Sequence, residues 1–136
     1  MIDTNVFVSA LRSADGASRT VIRRCLQGQY RPCMSLALFA EYRDVMGREP
    51  LFTESLLTSE ERQELFFAFI AVCRLTEIYY LWRPNLRDEA DNHVLELAVA
   101  ASAQAIVTYN RADFLAAELH FPELRIVAPA DLLKED

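Results

Sequence analysis

Two apolar periods alternate along this chain, one close to two residues and one close to 3.6, and their order predicts the elements. Met1–Ala10 is strand-like, with Ile2, Val6, Phe7 and Val8 as β-formers. Ser18 then caps a predicted helix to about Gln27, with Val21, Ile22, Cys25 and Leu26 inward and Gly28 as its stop. Cys33-Met34 is a short strand, held to an edge or a strand start by Pro32. Ser35 caps Leu36 to about Met46, where Leu38, Tyr42 and Val45 form a stripe and Glu41 falls at its margin. Thr58-Ser59-Glu60-Glu61 has the form of a capping box, and the helix behind it carries Leu65, Phe66, Phe69, Ile70 and Cys73. Leu75–Leu81 reads as a strand, and Asp88 to Asp91 opens a helix through about Ser102. Ala105–Thr108 is a short apolar strand, Asp113 caps a helical piece Phe114–Leu119, and Arg125–Val127 is a last strand before a turn of helix at Pro129-Ala130-Asp131. Strands alternating with helices predict an α/β domain, an α/β/α sandwich around a central, mainly parallel sheet.

Composition narrows this without changing it. At 136 residues, 52% of them apolar, the chain is expected to form a single domain over 1–136 with a substantial core. The net charge of −6 argues against a uniformly basic nucleic-acid binder but leaves room for a local basic patch. Lys134 is the only lysine, so cationic contacts rest almost wholly on arginine, whose planar fork suits phosphate and carboxylate. Cys25, Cys33 and Cys73 are an odd, scattered set with no CxxC pair, which predicts reduced core thiols. Met1 leads straight into Ile2-Asp3 without a basic leader, and the longest apolar run is Leu65–Cys73. A cytoplasmic protein without membrane contact is the expectation.

Candidate chemistry lies in carboxylates at the edges of apolar elements. Asp3 follows the first β-like residues, Glu41 borders a buried helical stripe, Asp91 sits at a helix mouth, and Asp113 follows the strand Ala105–Thr108. Such acids, remote in sequence, suit a hard divalent cation, and no His/Cys ligand spacing competes with them. Taken singly each has a plainer role. Asp88 has the spacing of a helix cap, Asp91 that of a first-turn acid favoured by the helix dipole, and Asp113 that of a cap. Asn110 suits a turn, while His93 and His120 stand without evident partners. Arg12, Arg19, Arg23, Arg24 and Arg111 are candidates for a phosphate-binding rim.

Four blocks, taken together, carry a resemblance: Asp3-Thr4-Asn5-Val6, Ser35–Val45 with Glu41, Asp91–Ala98, and Ile106-Val107-Thr108-Tyr109-Asn110-Arg111-Ala112-Asp113-Phe114. In order and spacing they resemble the PIN-domain nucleases, specifically the bacterial toxin-antitoxin branch of VapC-like toxins. The resemblance implies a metal-dependent endoribonuclease in which Asp3, Glu41 and Asp91 match the family's carboxylates and bind Mg²⁺ or Mn²⁺. Many members carry Asp where this chain has Asn110; the T-x-N-x-x-D-F form seen here makes Asp113 the candidate fourth acid. Asn5, Thr108 and Asn110 are then supporting groups that hold carboxylates or metal-bound waters. Two such ions about 3.5–4 Å apart activate a water and clamp the leaving oxygen of a phosphodiester. The implied products carry 5′-phosphate and 3′-hydroxyl ends, and the implied partners are RNA, a cognate antitoxin protein and a second copy in a homodimer. The competing reading is a non-catalytic PIN module that binds RNA or a protein as a scaffold; a nuclease acting on DNA flaps is a third.

Overall fold

The structure is a computed structural model that describes residues 1–13, 16–77, 95, 97–114 and 121–135. Ile78–Leu81 of the expected strand Leu75–Leu81, residues 115–119 of the expected helical piece Phe114–Leu119, the helix mouth at Asp88–Asp91, and His93 and His120 lie outside the described residues.

The first correction comes at the start of the chain. Only Ile2 makes a β-bridge, to Val107, and from Thr4 the chain is helical: α1 spans Thr4–Arg12. Val6, Phe7, Ala10 and Leu11 fall on one buried face at helical spacing. Asp3 caps the helix, taking the extended conformation of an N-cap and accepting from Thr4 N at 2.8 Å. The β-branched residues suggest a strand, but their propensity against helix is a few tenths of a kcal/mol (roughly) per residue. Burial of Val6 and Phe7 against the neighbouring helices outweighs it.

Helix α2 (Ala17–Leu26) follows, capped by Gly16 instead of Ser18. Ser18 is instead buried in the first turn. Gln27 ends the helix and Gly28 reverses the chain at φ +82°, a region costly for any side chain. Strand β1 is Cys33–Met34. Ser35 then caps α3 (Leu36–Met46) by accepting from Leu38 N at 3.1 Å, as expected, and Gly47 is its C-cap. A 3₁₀ turn, Glu49–Phe52, leads to α4 (Ser59–Val72), where the reciprocal capping box of Thr58 and Glu61 is present. Strand β2 is Arg74–Leu75, so the expected Leu75–Leu81 strand begins one residue early and stops at Leu75, with Thr76 and Glu77 already outside it. Residues 97–100 are helical, β3 is Ala105–Val107, a 3₁₀ turn covers Arg111–Phe114, β4 is Arg125–Val127, and α5 is Pro129–Lys134.

The expected central sheet is met in pieces. Among the described residues the pairings are β1 with β2 and β3 with β4, both parallel, plus the parallel bridge Ile2–Val107. Around that bridge, Val107 N donates to Met1 O and Asp3 N donates to Val107 O, both at 2.9 Å, while Thr108 N donates to Val127 O at 2.9 Å. The segment Met1–Asp3, β3 and β4 therefore run side by side in one direction. In this register Asp3 and Thr108 emerge together at the carboxyl edge.

The core beneath that edge is aromatic. Phe7 lies 5.4 Å from Tyr42, 5.8 Å from Phe66 and 5.2 Å from Phe69, centroid to centroid, tying α1 to α3 and α4. The fully buried Tyr42 hydroxyl donates to Ile2 O, and burial pushes its pKa well above the ordinary tyrosine value. Arg62 is also buried, but satisfied: it makes a bidentate pair with Glu49 (2.9 and 2.8 Å), donates to Leu57 O and covers the Phe52 ring at 4.7 Å. The three cysteines are free thiols. Burial pushes Cys25 up to about 11 and Cys73 up to about 12, which fits unreactive core groups. Among the described residues, no helix is long and apolar enough to cross a membrane.

Candidate active site

At the carboxyl edge the sequence places one carboxylate, Asp3, where a strand-like segment becomes a helix. Its side chain is 5% exposed. Three donors converge on it: Thr4 N on Oδ1 at 2.8 Å, Thr108 Oγ1 on Oδ2 at 2.7 Å, and Asn5 Nδ2 on Oδ2 at 3.3 Å. This network fixes the direction in which the carboxylate points.

Thr108, the first residue after β3, is fully buried and joins the network in both directions. Its hydroxyl donates to Asp3 while accepting from Asn110 N at 3.0 Å and from Asn5 Nδ2 at 3.4 Å. Asn5 in turn accepts from Tyr109 N at 3.3 Å. Residues 104 positions apart are thus fixed to one another by one amide side chain. The turn after β3 closes on itself through Asp113 N, which donates to Asn110 O at 3.0 Å.

Glu41 reaches the site from α3. Its Oε1 accepts from Thr4 Oγ1. The edge of α3 that faces the site is the margin of its buried stripe, because Tyr42, one residue on, is anchored to Ile2 O directly below. The same aromatic core that orders the helix therefore aims the glutamate. Thr4 has a role that the sequence left unassigned: it stands in the DTN triplet, yet nothing in the pattern signals a bridge to a residue 37 positions on. Ser18 is the other omission, since its hydroxyl bonds the Tyr109 phenol.

The expected residues divide three ways. Asp3, Asn5, Thr108 and Glu41 meet in one bonded cluster with Thr4. Asn110 takes part through its main chain. Asp113 is half-buried within the 3₁₀ turn Arg111–Phe114, where its main-chain N–H donates to Asn110 O, and Asp91 lies outside the described residues. Among the described residues no three His, Cys, Asp or Glu side chains gather as a metal site. The candidate ligand groups that do gather, the Asp3 and Glu41 carboxylates, offer oxygen, which a hard divalent cation takes and a soft one does not. Asp3 and Glu41 would hold such an ion, with Thr108, Asn5 and Thr4 fixing their angles.

No curated protein and no solved structure matches the chain. A model of the PIN domain does match it, over residues 1–112, a span that takes in Asp3, Glu41, Asp91 and Thr108. With that match across most of its length, and with first-block and fourth-block residues bonded at one sheet edge as described, the chain belongs to the PIN-domain family.

Proposed function

We propose that this PIN domain is a metal-dependent endoribonuclease, and that it serves as the toxin of a type II toxin-antitoxin pair. The observation that carries the nuclease reading is the buried Asp3 carboxylate, held by three donors beside the Thr4–Glu41 link in a family of nuclease fold. A buried acid is costly unless it is hydrogen-bonded or paired with a cation, and Asp3 has the first and is placed for the second. Here the hydrogen bonds set its direction, and Asp91 from the third block is assigned as the next ligand. Mg²⁺ or Mn²⁺ is the cofactor proposed, and when bound it supplies an activated water and neutralises charge on the attacked phosphate. Asp3 holds its orientation through Thr108 and Asn5, and Glu41 accepts a proton or orients the attacking water. Asp113 is assigned to a weaker outer position.

Regulation by a cognate antitoxin and homodimerisation are part of the same proposal. The exposed apolar side chains Leu36, Leu56, Phe67 and Leu75 support it, since covering them is what a partner chain would do. The test is cleavage of single-stranded and structured RNA with Mn²⁺, then with EDTA. Asp3→Asn and Asp91→Asn are each expected to lose cleavage by a factor of 100 or more (roughly) while remaining folded. Wild-type cutting by both variants would sink the site, and RNA binding without cutting in the wild type would favour the scaffold reading. Growth arrest on expression, relieved by a neighbouring small gene product, tests the toxin role.

A further inference from the structure

The exposed side of α1 does not end at the acids. A groove of about 650 Å³ begins at Thr4 and Asn5, runs past Ser9 to Arg12 and Ser13, and is walled on the far side by Val45, Leu51 and Glu54, with Tyr109 at its mouth. Positions 5, 9, 12 and 13 recur at helical spacing, so one face of the helix supplies one wall. From Asn5 to Arg12 the groove extends about 10 Å at the helical rise. Of the five arginines put forward for a phosphate rim, Arg12 is the one that lines it. Arg19 is turned back to Ala10 O at 2.6 Å and Arg24 to the Tyr30 hydroxyl at 3.4 Å.

Tyr109 is the second feature. The residue is 49% exposed, yet it is held at both ends: the main-chain N–H by Asn5 Oδ1 and the phenol by buried Ser18. A large aromatic face that is immobilised and left open is a platform, because stacking on it costs little ordering entropy. Val8, Val45 and Leu51 give the groove apolar lining beside the hydroxyl and amide groups of Thr4, Asn5, Ser9 and Ser13.

We infer that this groove is the track for the RNA strand leaving the acid site, with an unpaired base stacked on Tyr109 and a phosphate about two helical turns away on Arg12. The inference rests on the nuclease reading for its choice of a nucleic acid. It commits to a single strand because a base in a duplex cannot turn its face to an aromatic ring. Glu54 on the opposite wall repels phosphate and so sets the strand's orientation, backbone toward α1 and bases toward Val45 and Leu51.

The experiment is binding by fluorescence anisotropy of a labelled single-stranded oligoribonucleotide of about twelve residues, a length within known site sizes. It is run on the wild type in EDTA across a salt series, so that cleavage plays no part. Arg12→Ala is expected to weaken binding about tenfold and to reduce the salt slope by about 0.7, the share of one phosphate contact on a single strand. Tyr109→Ala weakens it about tenfold with the slope unchanged, and Tyr109→Phe restores most of that loss. Glu54→Gln tightens binding. Thermal unfolding of each variant should match the wild type. Wild-type affinity and slope in both Arg12→Ala and Tyr109→Ala would overturn the inference, as would an absence of single-strand binding in the wild type. Loss of a co-expressed protein partner with RNA affinity intact would assign the groove to that partner instead. Binding that follows this pattern without any Mn²⁺-dependent cleavage removes the nuclease reading and leaves the track standing.

Discussion

Asp3 carries two loads, holding a helix start and facing the site, and the two separate experimentally. Replacing it by Ala removes the N-cap acceptor of α1, a loss of about 1 kcal/mol. It also leaves the Thr108 hydroxyl, fully buried, without the acceptor it now reaches at 2.7 Å. An unsatisfied buried donor costs about 1–3 kcal/mol, so Asp3→Ala should destabilise the domain by about 3 kcal/mol in all. Asp3→Asn keeps the cap, since Asn and Asp cap helices about equally well. Its amide nitrogen, however, must share space with Asn5 Nδ2, also a donor and tied to Tyr109 N through its oxygen. About 1 kcal/mol is the expected cost. Urea unfolding followed by circular dichroism reads both: with a slope of about 1.5 kcal/mol per molar, the midpoint falls by about 2 M for Ala and by less than about 1 M for Asn. Repeating the titration with Mn²⁺ supplies the second arm. An ion bound only to the folded state stabilises the wild type by about 2.7 kcal/mol at a hundred times its dissociation constant, raising its midpoint by about 1.8 M, and should leave both variants where they were. An Asp3→Ala midpoint equal to the wild type would refute the argument that these hydrogen bonds order the start of α1. A variant midpoint that climbs with Mn²⁺ as far as the wild type would refute Asp3 as a ligand.

Three further outcomes follow from the same geometry. Thr4→Val removes the hydroxyl that holds Glu41 and should lower kcat about tenfold with little change in unfolding midpoint, while Thr4→Ser retains activity; equal rates for Val and Ser would show that the link is idle. Tyr42→Phe deprives Ile2 O of its donor beneath the site and is expected to cost about 1–2 kcal/mol in chemical denaturation, detected as an earlier midpoint. Glu61 is fully exposed, and its hydrogen bonds from the Thr58 backbone and hydroxyl hold its carboxyl below its ordinary 4.5. Because the folded value is the depressed one, this contribution is present above the unfolded pKa and disappears as pH falls through the folded one. Glu61→Gln should therefore flatten the acid side of a stability–pH profile, below about pH 5, and an unchanged profile would count against it.

Much of the helical scaffold is legible in the sequence because caps are local. Ser35, Gly47 and the Thr58–Glu61 box each act within four residues, and each marks the boundary it predicts. Glu41 at the margin of the α3 stripe is legible for the same reason: periodicity fixes the angle between it and Tyr42. The four-block order identifies the family and puts Asp3 and Thr108 among the candidates. What tertiary structure decided begins at Val6 and Phe7. Their local preference favours a strand, and only the ring cluster with Tyr42, Phe66 and Phe69 makes the helix the better burial. Gly16 and not Ser18 caps α2, and the Ser18 hydroxyl bonds Tyr109, a partner 91 residues away. Sequence pattern names the groups but carries no information on such long-range bonds. The parallel register of Ile2 with Val107 is what brings Asp3 beside Thr108, and the Thr4 hydroxyl is what joins Glu41 to them.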